Sequence, residues 1–357
     1  MKKRDIDIEI QPQDIVLFHV GGSLGSYGPI DSVLSCFPRQ CVVFAFEARE
    51  DEEDEIMQTR YEVRGVRTVL INACIAETSG TFPFFINKHD ESSSMFPPSP
   101  QALDEHILSC PPGVRTWRQN TELERMITLN TISLQEFTEQ QGIIPDVLSI
   151  DAQGMELRIM KGAVNAMRLA NCIISEVEFF EIYSGQGLFH EQMLLLDSYG
   201  FRLADLLNAQ YWHPGPACGE GFLTVAEALW FKKIDAFLKL SSEENHFILR
   251  GIKLSALAFA FKRYSYSYAL LKELMNCDNA LVAELCYKHG FEILLKMTDE
   301  VDNNLGNYDL DNSFFVKHPP NVQTGAGRTS PSRRCFRQFL ARAARKVGRV
   351  VLRYLET

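Results

Sequence analysis

PDVLSIDAQGMELRIMKGA (145–163) begins with a short apolar run that stops at an acid, turns at a glycine and resumes as an amphipathic helix. Val147 to Ile150 is long enough for a buried strand and too short for a helix of its own. Asp151 ends that strand, so its carboxylate opens into the crevice above a sheet. Gly154 permits the turn, and Glu156 falls in the first helical turn, where negative charge is favoured. Downstream, SEVEFFEIYSGQGLFHEQMLLLDSYGFRLADL (175–206) starts with a strand whose period of two puts Glu176 and Glu178 on one face.

The same alternation extends in both directions. DIVLFHV (14–20), CVVFAFE (41–47), TVLINA (68–73), DVLSID (146–151), CIISEVEF (172–179), FRLADLL (201–207) and VAEALWF (225–231) read as strands rich in Val, Ile, Leu and Phe. Helical periodicity falls between Ser26 and Arg39, Thr131 and Gln141, and Glu156 and Ala170. Strand alternating with helix predicts an α/β fold with a parallel sheet and right-handed crossovers. Residues 87–120 interrupt the rhythm with a Ser cluster and five prolines, the pattern of a long loop or lid. Within it, Ser94, Phe96 and Pro97 are candidates to touch a ligand.

After the first strand comes HVGGSLGSYGP (19–29), where Gly21, Gly22 and Gly25 allow close backbone approach to a ligand. Glu47 ends the next strand and is placed to accept hydrogen bonds from both hydroxyls of a ribose. The pair predicts an adenosine-containing cofactor at the carboxyl edge of the sheet.

These blocks resemble the FkbM family of S-adenosylmethionine-dependent methyltransferases over about residues 14–232. IDAQGMELRIMKGA, EVEFFEIY and GFRLADL stand where the family has its [I/V]DxxGxE block, its ExxF strand and its GFxL strand. VLINACIAETSGTFPFFI (69–86), TLNTISLQEF (128–137) and VAEALWFKK resemble the family's third strand with hairpin, its lead-in to the fourth strand and its final strand. The resemblance implies a class I, Rossmann-like sheet of seven strands and methyl transfer from S-adenosylmethionine to a hydroxyl of a sugar, glycolipid or related glycan precursor. By position, Gly21, Gly22, Ser23 and Gly25 would face the methionine end of the cofactor, Glu47 the ribose, and Asn72 the adenine. His19 occupies the place where relatives carry the Asp of a DxGANxG pattern, and it joins the cofactor-binding set with that difference. A hydroxyl nucleophile needs a base. Asp151 is the first candidate, followed by Glu178 and His190. A divalent metal held by carboxylates such as Asp151 and Glu178 is compatible with this chemistry, although no ligand spacing demands it. The alternative is a methyltransferase-fold protein without catalysis, acting as a peripheral membrane-binding or scaffold module.

Beyond residue 232 the pattern changes. A helical appendage spans 233–305, with Ser241 and Glu244 as a capping box and Leu249, Ile252, Leu254, Leu257 and Phe261 on one apolar face. Residues 306–331 read as a linker. Residues 332–357 read as a basic amphipathic helix, with Phe336, Phe339, Leu340, Val347, Val350, Val351 and Tyr354 along one stripe and arginines opposite. After residue 327 there are nine Lys/Arg and one acid, a net +8, so the preceding 327 residues carry −18 of the total −10. An acidic body argues against nucleic acid as a partner. The basic tail predicts an anionic membrane surface.

The chain has 357 residues, 46% hydrophobic and 23% charged. No apolar run approaches the roughly 20 residues of a membrane span, and the charged start MKKRDIDIEI lacks a secretion signal. The nine cysteines are odd in number and include no CxxC pair, which predicts reduced thiols rather than a disulfide framework. The expected location is the cytoplasm, with peripheral association at the inner face of a membrane.

Overall fold

The structure is a computed structural model. It describes residues 8–21, 28–47, 65–108, 114–215, 219–240 and 244–303. The chain divides at residue 318, and the second unit, Pro319–Thr357, lies outside the described residues together with the linker and basic-helix segments.

Five strands form a parallel array: β1 (Ile15–Gly21), β2 (Cys41–Glu47), β3 (Arg67–Asn72), β9 (Val147–Asp151) and β10 (Cys172–Glu178). β12 (Phe222–Lys232) runs antiparallel between β10 and β11 (Phe201–His213). The sheet order is β3-β2-β1-β9-β10-β12-β11-β6-β7. All seven segments read as strands in the sequence lie in it. Among the described residues the sheet nevertheless has nine strands rather than seven, because β6 (His106–Leu108) and β7 (Val114–Thr116) extend its edge. Both come from the stretch read as a loop. Strands of three residues carry too short a pattern to be seen among the prolines around them. A second sheet joins β4 (Cys74–Ala76), β8 (Leu123–Ser133) and β5 (Gly80–Asn87).

Both faces of the main sheet are covered. On β1, Ile15 and Leu17 enter one apolar core while Val16, Phe18 and Val20 enter the other; β2 repeats this with Cys41, Val43 and Ala45 against Val42, Phe44 and Phe46. That double burial is why these strands read as continuous apolar runs. One core gathers Phe18, Phe44, Phe46 and Phe137, whose rings meet edge to face at 4.8–5.6 Å. Its helices are α3 (Leu134–Gln141), α4 (Glu156–Lys161) and α5 (Val164–Leu169), which follow α1 (Asp31–Cys36) and α2 (Trp117–Asn120) in the chain. α3 begins three residues later than the periodicity suggests, because Thr131 is still paired in β8 and Ser133 caps the helix by accepting from the Glu136 amide at 3.1 Å.

The opposite core is closed by α8 (Glu244–Ala260), α9 (Tyr264–His289) and α10 (Glu292–Asn303), which follow α6 (Phe189–Ser198) and α7 (Ile234–Leu238). The apolar face read from Leu249 to Phe261 is buried there against Ile15, Leu17 and Val43. A buried ion pair, Lys253 to Asp146 at 3.2 Å, ties α8 to the start of β9, and a bond from Arg250 to the Leu169 carbonyl at 2.8 Å ties it to α5. The Ser241 end of the expected capping box lies outside the described residues. No helix among the described residues is long and apolar enough to cross a membrane. Each described cysteine is a free thiol.

Candidate active site

The strand order reverses between β1 and β9, and in open α/β sheets the carboxyl ends of the strands at such a switch point are where ligands bind. Gly21 ends β1 directly beside Asp151. Its φ is +72°, and a Cβ there would overlap the Asp151 carbonyl oxygen, so only glycine lets the two strands lie this close. Beyond Asp151 the chain turns through Gln153, at φ +50°, and Gly154, at φ +95°. A Cβ added at 154 would stand only 3.2 Å from the Tyr183 ring and 3.3 Å from the Gln186 Cβ. A non-glycine residue held at positive φ beside a crevice is strain worth a functional explanation.

The register sets an acidic row. Ser175 pairs with Ile150, which puts Glu176 beside Asp151, and Glu176 pairs on its other side with Glu227 of β12. Like charges opposite one another in a sheet are destabilising, so this row is not an ordinary packing solution. Gln153 holds part of it together: its Nε2 donates to Asp151 Oδ1 at 2.9 Å and to Glu176 Oε2 at 3.1 Å. The Tyr183 hydroxyl lies 3.0 Å from Gln153 Oε1 and 2.9 Å from the Ser92 carbonyl. Glu156 is fully buried; its Oε1 accepts from the Ala152 amide at 2.7 Å and its Oε2 has no partner. One oxygen each from Asp151, Glu156 and Glu176 lie within 4.8 Å of one another, a donor set suited to a hard cation.

Burial dominates the electrostatics. It raises Asp151, partly opposed by hydrogen bonds from Gln153 and Glu176, and it pushes Glu156 up to about 8. Glu176 and Glu178 stand well above the ordinary carboxylate range, first from burial and then from their acidic neighbours. Burial also lifts Glu227 to about 7. Among the described residues, no Lys or Arg forms an ion pair with any of these five acids.

Residues Ser94 and Phe96 of the 87–120 stretch contact the Asp151–Glu156 turn and the helix after it. Ser94 Oγ donates to the Gln153 carbonyl at 2.6 Å, and the Phe96 ring lies 4.6 Å from the Arg158 guanidinium of α4. The Ser184 amide donates to the Pro97 carbonyl at 2.9 Å. Trp117 anchors the segment through a bond from Nε1 to the Ile182 carbonyl at 2.9 Å.

His19 is buried in β1 with Nδ1 3.1 Å from Ser149 Oγ, and burial lowers its pKa to about 4, so the ring is neutral at physiological pH. Glu47 and Asn72 end β2 and β3 as register partners, both half-buried. Gly22, Ser23 and Gly25 lie outside the described residues. Glu178 is fully buried, and neither of its oxygens has a hydrogen-bond partner. His190 is exposed at the second position of α6, apart from the carboxylate group. The acids that gather with Asp151 are therefore Glu156 and Glu176, rather than Glu178. Glu156 reads in sequence as a helix-start residue, which it also is. Its signal was the spacing of the two acids across the glycine turn.

The family model for the Methyltransferase FkbM domain matches residues 19–203, more than half of the chain. The chain belongs to the FkbM methyltransferase family. This FkbM protein is also 27% identical over 172 residues to the hexuronic acid methyltransferase AglP of Haloferax volcanii, a match covering 48% of the chain and 59% of that relative's length. No solved structure matches the chain.

Proposed function

We propose that this FkbM protein transfers a methyl group from S-adenosylmethionine to a hydroxyl of a sugar or glycan precursor. The supporting observation is the convergence of Gly21, Glu47 and Asp151 on one crevice edge, at the ends of the adjacent strands β1, β2 and β9. These residues fit the cofactor: bare backbone at Gly21 admits a close ligand, and the carboxylate of Glu47 ends the neighbouring strand, where ribose hydroxyls can donate to it. Bound there, the cofactor supplies a methyl group on a sulfonium. The neutral ring of His19 puts no positive charge beside such a cation.

Asp151 takes the proton of the acceptor hydroxyl on its carboxylate. A carboxylate raised by burial is a better base near neutral pH than a solvated one. Gln153 orients that carboxylate through the 2.9 Å bond to Oδ1. Ser94 braces the turn through its bond to the Gln153 carbonyl. The relative's name supports a sugar-type acceptor, a hexuronic acid or a related hydroxyl-bearing residue.

Calorimetry with S-adenosylmethionine, followed by radiolabel transfer to a panel of uronic acids and neutral hexoses, tests the reading. Cofactor binding with transfer to a hydroxyl supports it. No binding of S-adenosylmethionine or S-adenosylhomocysteine to the folded chain refutes it and favours the non-catalytic binding module.

A further inference from the structure

We propose that Asp151, Glu156 and Glu176 form a binding site for one oxygen-preferring divalent cation, of the Mg²⁺, Mn²⁺ or Ca²⁺ class. Three carboxylate oxygens from three residues lie within 4.8 Å of one another. Around a cation with oxygen ligands at about 2.1–2.4 Å, neighbouring ligands stand about 3 Å apart and opposite ones about 4–5 Å, so the group needs little rearrangement to close on an ion.

A second observation points into the same space. Glu156, a member of the group, is 0% exposed, yet its Oε2 has no donor. A buried carboxylate oxygen without a partner is costly in a folded protein unless something answers it. Its other oxygen is fixed by the Ala152 amide at 2.7 Å, so the open one is held in place. Gln153 similarly engages one oxygen each of Asp151 and Glu176. In a metal site this amide and the Ala152 N–H would be the outer groups that orient the ligands. No basic side chain of the described residues balances the charge. Glu178, two residues further along β10, is fully buried with two further unpartnered oxygens.

At the end of β9, such an ion would lie where an acceptor hydroxyl must approach Asp151. A hydroxyl bound to it loses its proton more readily. The site itself does not rest on the methyl-transfer reading, and its test uses neither cofactor nor acceptor.

The full-length chain, stripped with chelator and dialysed, is titrated with Mn²⁺ while the free-ion electron paramagnetic resonance signal is followed. Thermal denaturation is run in parallel with and without the ion. The expected result is one Mn²⁺ per chain, displaceable by Mg²⁺ or Ca²⁺, with a raised melting temperature. Glu156→Gln and Glu176→Gln should each weaken Mn²⁺ binding at least tenfold in folded protein. Glu227→Gln, outside the group, should change it less than threefold. If either ligand variant fails to fold, the other and the wild-type thermal shift still decide. Failure of the wild type to bind any of the three ions at millimolar concentration overturns the site, leaving the acids balanced by protons. Binding that survives both ligand substitutions overturns it as well. Mn²⁺ binding as expected in a chain that transfers no methyl group sustains the site and refutes only the proposed reaction.

Discussion

Replacing Gly21 with alanine probes the close approach of β1 and β9 on which the catalytic proposal depends. The added Cβ would overlap the Asp151 carbonyl oxygen. To reach even the shortest contact that real Cβ atoms make, the strand ends must part by roughly 1 Å, and a displacement of that size costs on the order of 100-fold in rate when it moves a reacting group. The left-handed φ of +72° adds about 1–2 kcal/mol of backbone strain for an L-residue. The moving part is Asp151, along with the register that sets it beside Glu176. Gly21→Ala should therefore fold with reduced stability and lose about two orders of magnitude in turnover. Gly142→Ala is the control. It has a similar φ of +69° at the end of α3 but nothing within 4 Å of the added atom, so it should lose stability and retain turnover. Initial rates of methyl transfer, with thermal denaturation of each variant, measure both terms. A folded Gly21→Ala protein with turnover within threefold of the parent would show that this approach does not position Asp151.

Asp151→Asn keeps the shape of the side chain and removes the base, so turnover should fall ~10²–10⁴-fold while cofactor affinity changes much less; near-normal turnover would exclude Asp151 as the base. Glu47→Ala should weaken S-adenosylmethionine binding by about 1.5–3 kcal/mol per lost charge-assisted bond, read by calorimetry, with the fold intact. Lys232 is buried, with Nζ 3.1–3.2 Å from the carbonyls of Met167, Arg168 and Tyr199 and 3.7 Å from the Phe201 ring centroid. Lys232→Met strips those carbonyls of their donor and should destabilise the fold by about 1–3 kcal/mol in denaturant titration. Burial lowers the Lys232 pKa from 10.5 to about 7, so between those values the unfolded chain binds the extra proton. Its contribution therefore makes stability rise with pH across that window, and the methionine variant should lack this slope. The basic stretch 328–357 is proposed to bind anionic vesicles, with co-sedimentation falling steeply as salt rises; a chain that ignores such vesicles at low salt removes the membrane reading.

Of the seven sheet strands, β1, β2, β9, β10 and β12 were legible because they are buried on both faces or nearly so, and such strands appear as apolar runs that need no partner to be recognised; β3 and β11, largely half-buried or exposed, were legible from their Val, Ile and Leu content alone. Asp151, Gly154 and Glu156 were legible as a strand end, a turn and a helix start, since those depend on neighbours within a few residues. β6, β7 and the polar first half of β8 were not, because their pairing comes from strands distant in the chain and leaves little periodicity. The choice between Glu176 and Glu178 shows the boundary most clearly. Both occupy the same face of β10, and local pattern treats them alike. Only the pairing of Ser175 with Ile150 brings Glu176 beside Asp151 and leaves Glu178 two residues further along the strand. Composition and periodicity determined that acids would stand at the carboxyl edge of a parallel sheet. Which acids meet there was decided by strand register, a relation between segments that no single stretch of sequence carries.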